Sequence, residues 1–306
     1  MPIRIAIVGV GKIVRDQHMP ALAANPDYEL VAAASPHSVM EGVDTYKSLD
    51  EMLEARPDID AVAVCTPPQV RHDIALAAIR AGKHVLLEKP PGATVSEVDS
   101  LKTAIEATGK TLYASWHSRH APAVPHARDW VQGKDLSKVE IVWREDVRRW
   151  HPGQPWIWAA GGLGVFDPGV NALSIATLIL PAFFLTSAEL SFPANKDAPI
   201  AAKLAFNLGG PEMTADFDWR QTGPQTWDIR LTAKDGATLH LEKGGDQLTI
   251  DGKSVDTPPE REYGSIYESF AELIKAGKSE VDVRPLEQAA DAFLLGKRVV
   301  VDAFED

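Results

Sequence analysis

Short apolar runs alternate with amphipathic stretches through the first third of the chain, and turn residues separate them. Ile3–Val8 is apolar except at Arg4, the pattern of a strand buried on both faces. Gly9-Val10-Gly11 follows, and a helix is predicted through Met19-Pro20-Ala21-Leu22. Tyr28–Ala34 reads as a second strand, and residues 48–55 as a helix with Ser48 at its N-cap and Glu51 in its first turn. Residues 61–65 form another buried strand, closed by Thr66-Pro67-Pro68. A helix over 70–81 ends at Gly82, His84–Leu87 is a strand, and a helix over 96–108 stops at Gly109 before a strand at 111–114. Repeated β-α units of this length imply right-handed crossovers and a doubly wound parallel sheet.

The grammar changes after Trp116. Val139, Ile141 and Trp143 alternate with polar neighbours, as do Leu204 and Phe206, Phe217 and Trp219, Ile229 and Leu231, and Leu239 and Leu241. Period-two patterns between Gly, Pro and Asp turns predict a large, mostly antiparallel sheet with one face covered. Helices are expected at 167–180, 264–276 and 285–304. The fold class is therefore an α/β N-terminal domain over residues 1–118 followed by an α+β domain over 119–306, whose last helix can pack back on the first domain.

Composition narrows the function. A formal net charge of −12 argues against a nucleic-acid partner, because phosphate backbones are bound through basic patches. It also disfavours an anionic membrane surface. No stretch approaches the roughly 18 apolar residues of a membrane span, and the apolar run at 5–10 is too short for a signal-peptide core. Cys65 is the single cysteine, so the chain has no internal disulfide framework and no thiolate metal cluster. A cytoplasmic location is expected. His117, His120, His126 and His151 match no tight metal-ligand spacing, and no metal is expected.

Gly9-x-Gly11 acquires meaning from its place between a strand and a helix. The first glycine permits a tight turn, the second lets a pyrophosphate approach the backbone, and the helix start offers free N–H groups and a positive dipole. The loop and helix start, Gly9, Val10, Gly11, Lys12 and Ile13, are thus candidate dinucleotide-binding residues of a Rossmann domain. The usual third small residue falls at Val14. Where a carboxylate after the second strand would clasp the ribose of NAD, this chain has Ser35-Pro36-His37. Ser35 and His37 can donate to a 2′-phosphate, so NADP is the expected cofactor, with NAD also usable.

Gly9-x-Gly11, Cys65-Thr66-Pro67-Pro68 with His72, and the run from Ala81-Gly82-Lys83-His84 to Glu88-Lys89-Pro90 together resemble the glucose-fructose oxidoreductase / inositol dehydrogenase (Gfo/Idh/MocA) family. The likeness spans nearly the whole chain. It is closer still, at residues 116–119, 145–154 and 161–173, to the bacterial aldose 1-dehydrogenases of that family that act on L-arabinose and D-galactose. The resemblance implies an NAD(P)-dependent enzyme that oxidises the anomeric carbon of a pyranose such as L-arabinose, D-galactose or D-fucose to the lactone. It adds Cys65, Thr66, Pro67, His72, Glu88 and Lys89 to the cofactor-binding residues. It also implies a homodimer formed through the C-terminal sheet.

Such a reaction needs a base on the C1 hydroxyl, since hydride leaves the carbon as the proton leaves the oxygen. Lys89 and Asp167 are the candidates, with Asp167 preferred as proton acceptor and Lys89 polarising the hydroxyl. Asp167-Pro168 is equally a good helix start, with aspartate as N-cap. Asn171 shares a helix face with Asp167 at a position where the broad family commonly carries an acid/base histidine; asparagine can only orient a hydroxyl. His117, Glu145 and His151 are candidate sugar ligands, with Trp150 as an apolar wall, although the tryptophans around it can equally be packing residues. Two alternatives stand beside this reading. One is a dehydrogenase of another polyol such as inositol, and the other is a sugar- or dinucleotide-sensing regulator without catalysis.

Overall fold

The computed structural model describes residues 1–305. They form two compact units, one of Met1–His117 with Glu262–Val283 and one of Ser118–Arg261 with the segment from Arg284 onward. The first unit begins β1 (Ile3–Val8), α1 (Met19–Ala23), β2 (Tyr28–Ala34), β3 (Asp44–Tyr46) and α2 (Leu49–Ala55). It continues with β4 (Ala61–Val64), α3 (Pro68–Arg80), β5 (His84–Leu87), α4 (Val95–Glu106) and β6 (Leu112–Ala114). The strands lie in the order β3-β2-β1-β4-β5-β6, all parallel. Strand order therefore reverses between β1 and β4, and the carboxyl ends of those two strands border the crevice where open α/β sheets take their ligands.

Successive strand residues point to opposite faces, and both faces are buried, which is why the strands read as apolar runs. Ala6, Val8, Val62, Val64, Val85 and Leu87 pack against Met52 of α2, Ala75, Ala78 and Ile79 of α3 and Leu101 of α4. Helix starts are fixed by side chains. Ser48 Oγ accepts from the Glu51 N–H at 3.2 Å, and Thr94 Oγ1 accepts from the Glu97 N–H at 3.2 Å. The cap at Thr94, reinforced by Glu97 accepting from the Ala93 N–H, starts α4 earlier than the predicted 96. Strand β3 is not foreshadowed by the hydrophobic pattern, because it is three residues of mixed polarity.

The second unit contains α5 (Val124–Val131), β7 (Leu136–Arg144), α6 (Val147–Trp150), α7 (Phe166–Ile179) and β8 (Phe184–Pro193). It goes on through β9 (Ala201–Asn207), β10 (Glu212–Asp218), β11 (Thr226–Ala233), β12 (Thr238–Glu242), β13 (Gln247–Ile250) and β14 (Lys253–Val255). After the helix α8 (Glu262–Ala276), which belongs to the first unit, α9 (Arg284–Leu295) and β15 (Lys297–Val301) complete the second. The nine-stranded sheet runs β14-β13-β12-β11-β7-β10-β9-β8-β15. It is antiparallel except for the β7–β10 and β8–β15 pairs. Val139, Ile141 and Trp143 of β7 are buried while Glu140, Val142 and Arg144 alternate on the half-exposed face, as a one-sided core requires. Helix α7, apolar nearly all round, lies over Phe217 at Gly169, where a Cβ would come within 2.7 Å of the ring.

Two C-terminal segments differ from expectation. The helix predicted over 285–304 stops at Leu295, and the chain turns at Gly296, where a side chain would collide with the Ala292 carbonyl and Leu190. The β-branched run Val299-Val300-Val301 then extends alongside β8. The C-terminal helix that joins the first unit is α8. Its Tyr263, Ile266, Tyr267, Phe270 and Ala271 close the second face of the parallel sheet, over Ile5, Ile7, Ala33, Ala63 and Leu86. Among the described residues no helix is long and apolar enough to cross a membrane.

Phe270 is fully buried, and its ring stacks on Tyr113 of β6 with centroids 6.1 Å apart. Phe270→Ala is expected to cost the first unit about 3–5 kcal/mol in urea unfolding; a loss below about 1 kcal/mol would show that α8 is not part of this core.

Candidate active site

In the first unit the chain turns sharply after β1. Gly9 has φ +92°, and a Cβ there would sit 2.9 Å from the Thr66 nitrogen, so the segment leaving β4 crosses directly against it. A Cβ on Gly11 would meet no atom within 4 Å. Val10 is buried beneath the loop, Lys12 is exposed and paired with Asp16, and Ile13 is exposed. The chain is helical from 12 to 23, with a π-helical stretch over Val14–His18 where Val14, fully buried, replaces a small residue. The close backbone approach at Gly9, the open space at Gly11 and the buried Thr66 Oγ1, which lacks a hydrogen-bond partner, fit a dinucleotide pyrophosphate.

Other residues of the expected cofactor set belong to the same unit. β2 ends at Ala34; Ser35 follows, buried, with its Oγ accepting from the Ser38 N–H at 3.3 Å, while Pro36 and His37 are exposed. Cys65 is half-buried and Pro67 exposed at the start of α3. His72 lies within α3 and reaches Asp73 at 3.0 Å and Ser100 of α4 at 3.3 Å.

Behind the loop lies a polar cluster that the residue pattern does not announce. Glu88, 3% exposed, follows β5. Its Oε1 accepts from the Tyr263 hydroxyl at 2.7 Å and lies 3.2 Å from His18 Nε2, while its Oε2 accepts from the Lys89 N–H at 2.6 Å. His18 Nδ1 lies 2.7 Å from the Tyr267 hydroxyl. Burial pushes the Glu88 carboxyl up, but the hydrogen bond and charge of His18, with His117 and Lys89 adding to them, bring it down to about 2. Burial pulls the His18 imidazole down, and Cys65, Tyr267 and Glu88 together hold it well above its ordinary value. His117, expected at the sugar, stacks on Tyr263 with centroids 5.6 Å apart and places Nδ1 2.5 Å from Glu262. Burial lowers its affinity for a proton, and the Glu262 carboxylate more than compensates, so it too titrates above its ordinary value.

The second unit gathers the remaining candidates. Asp167 and Pro168 are the second and third residues of α7, and Val165 is the N-cap; the alternative that Asp167 caps this helix is set aside. The Asp167 carboxylate is buried, with Oδ2 3.3 Å from His151 Nε2. His151 Nδ1 lies 3.3 Å from Gln154 Oε1, and its ring is 5.3 Å from Trp219. An imidazole between a carboxylate and an amide oxygen can hold a proton at the Asp167 oxygen and release it. Asn171 is half-buried on the same helix. Glu145 is buried, accepting from the indole N–H of Trp219 at 3.2 Å and of Trp227 at 2.9 Å. Trp150 lies 5.5 Å from the Trp227 ring, and its indole donates to Gln225 Oε1 at 3.4 Å. Trp143, Trp158 and Trp219 are packing residues, 4%, 5% and 0% exposed. Among the described residues no group of three or more His, Cys, Asp or Glu is arranged to hold a metal ion.

Known proteins resemble this chain in sequence and in fold. The model of the oxidoreductase family with an NAD-binding Rossmann fold matches residues 3–115. The chain is 45% identical to galactose 1-dehydrogenase of Pseudomonas fluorescens over 100% of its own length and 99% of that protein. The crystal structure of the D-galactose-1-dehydrogenase protein from Rhizobium etli superposes with a TM-score of 0.94 at 56% identity, covering 99% of this chain and 98% of that one. A 3-ketoreductase from Actinomadura kijaniata, solved with NADP and TDP-benzene, shares the fold at 21% identity, with a TM-score of 0.86 over 98% of this chain and 100% of that one.

The Glu88–His18 pair gives stability a pH dependence of definite sign. Glu88, held at about 2 rather than 4.5, contributes stability that is present above pH 4.5 and lost as pH falls toward 2. His18, raised when folded, contributes below its ordinary 6.5 and loses that contribution as pH rises through its folded value. At pH 6, Glu88→Gln is expected to lower unfolding free energy by on the order of 3 kcal/mol, with the deficit shrinking below about pH 4.5. Urea titrations from pH 7 to 3 measure this, and a deficit independent of pH would refute the assignment.

Proposed function

The chain belongs to the Gfo/Idh/MocA oxidoreductase family, and on that premise we propose that it is an aldose 1-dehydrogenase, oxidising the anomeric carbon of D-galactose, L-arabinose or D-fucose to the lactone. The observation that carries this reading is the end-to-end likeness to two galactose 1-dehydrogenases. The buried Asp167–His151 pair supplies a group suited to the chemistry.

A bound nicotinamide dinucleotide supplies the hydride acceptor for C1. The glycine loop Gly9–Gly11 with the start of the following helix, and the loop Cys65-Thr66-Pro67, would hold its pyrophosphate and ribose. With Ser35 where a carboxylate would repel a 2′-phosphate, NADP is the favoured cofactor and NAD is the second. Asp167 accepts the proton of the anomeric hydroxyl. His151 orients the acceptor oxygen and carries the proton onward. Lys89 of the first unit is the cation that would stabilise negative charge developing on the reacting hydroxyl. Asn171 donates its amide to a neighbouring hydroxyl. Trp150 is the apolar wall proposed for the sugar, and Glu145 keeps Trp219 and Trp227 in place behind it. The enzyme acts in the cytoplasm as a homodimer formed through the nine-stranded sheet.

Mixing the protein with NADP or NAD and a panel of D-galactose, L-arabinose, D-fucose and myo-inositol is expected to produce reduced cofactor with the aldoses, faster with NADP. Turnover of the cyclitol alone would transfer the protein to another branch of the family, and binding without turnover would identify a sensor. Asp167→Ala is expected to lower kcat by about 10²–10⁴ while cofactor affinity stays unchanged. Near-native turnover in that variant would remove Asp167 as the base.

A further inference from the structure

Arg71 stands in α3, yet it is 3% exposed, and its two terminal nitrogens donate to main-chain oxygens. One terminal nitrogen donates to the Glu88 carbonyl at 2.5 Å and to the Pro90 carbonyl; the other donates to the Thr66 carbonyl. Glu88 and Pro90 are the residues on either side of Lys89. The Lys89 N–H itself is taken by the Glu88 carboxylate, which Tyr263 and His18 hold from the opposite face of the sheet. The peptide groups around Lys89 are thus fixed on all sides, and Thr66, whose nitrogen abuts Gly9, shares the same anchor.

Burying a guanidinium is costly unless its hydrogen bonds are nearly all satisfied. A helix-to-loop joint alone does not call for it, since a short polar side chain or a cap can tie one loop. What the planar fork achieves is to hold two separate segments through two nitrogens at a fixed mutual geometry, whereas an ammonium is a single point of attachment on a flexible stem. Lys89 carries its charge on a flexible four-carbon stem, so the accuracy of its reach depends on how firmly its Cα is held.

We propose that Arg71 is a positioning residue, clamping the main chain on both sides of Lys89 to the Thr66 segment so that the lysine ammonium meets the reacting hydroxyl at a fixed place. This rests on the reading of Lys89 given above. Displacement of a reacting group by about 1 Å costs on the order of 10²-fold in rate, which sets the scale of the effect.

The test is Arg71→Lys, which keeps the buried positive charge but not the fork, compared with Lys89→Met. In R71K, kcat per folded molecule is expected to fall about 10–100-fold, with the sugar KM changed far less and the limbs of the pH–rate profile unmoved. Amide hydrogen exchange over residues 86–91 is expected to accelerate. A merely structural arginine would lower the thermal midpoint without splitting kcat from KM. Native kcat in folded R71K with an inactive K89M overturns the clamp and leaves the proposed function standing. An active K89M removes the catalytic reading of Lys89 instead, and the proposal falls with it; the exchange data then report only on local structure. If R71K does not fold, Arg71→Gln, which retains amide donors without the fork, carries the same comparison, and a native or lowered kcat in it decides the clamp in the same way.

Discussion

One buried carboxylate organises the first unit. Glu88 sits at the end of β5 with two helical segments against it, and burying its charge is tolerable only because Tyr263, His18 and the Lys89 N–H all donate to it. Those donors come from three separated stretches of chain. The same interaction therefore fastens α8 to the parallel sheet, fixes the helix that follows the glycine loop, and holds the backbone from which Lys89 extends. Removing it would disturb fold and chemistry together.

The second unit solves a similar problem by other means. Glu145 is buried and held by two indole N–H groups, and Asp167 is buried against an imidazole. An indole is a donor that does not titrate, so Glu145 is a fixed acceptor that orients Trp219 and Trp227. An imidazole can serve as donor or as acceptor, so the Asp167 contact is suited to passing a proton. Two carboxylates in one unit thus receive different tasks from the chemistry of their donors.

Much of the fold was legible because buried parallel strands write themselves as apolar runs: β1, β2 and β5 have the predicted ends, and Ser48 caps α2 as expected. Misreadings fell where local signals compete. Pro285 to Leu295 is helical, and the strand beyond it is marked only by a valine run after Gly296, which a helical period can absorb. Asp167-Pro168 has the composition of a helix start but lies inside the first turn. At the site, His151 and Asp167 were visible as residue types but not as a pair, since their approach depends on the turn containing Gly161 and Gly164. Arg71, His18, Tyr263 and Tyr267 were invisible for another reason. Each lies on a helical segment whose sequence gives no sign of it, and only packing reveals that its polar atom points inward.

The passage of α8 into the first unit has a consequence for biosynthesis. The ribosome delivers all six parallel strands early, but the helix whose Ile266, Tyr267 and Phe270 seal one side of them emerges only after most of the second unit has been made. Until then Ile5, Ile7 and Leu86 are covered only in part, by Val14, Leu22 and Met40 of the N-terminal segment, and the nascent domain carries an incompletely buried flank. Closing that long loop is a late, non-local event. The first unit is thus contiguous in space but not in translation, and its maturation waits on a segment made after most of the second unit.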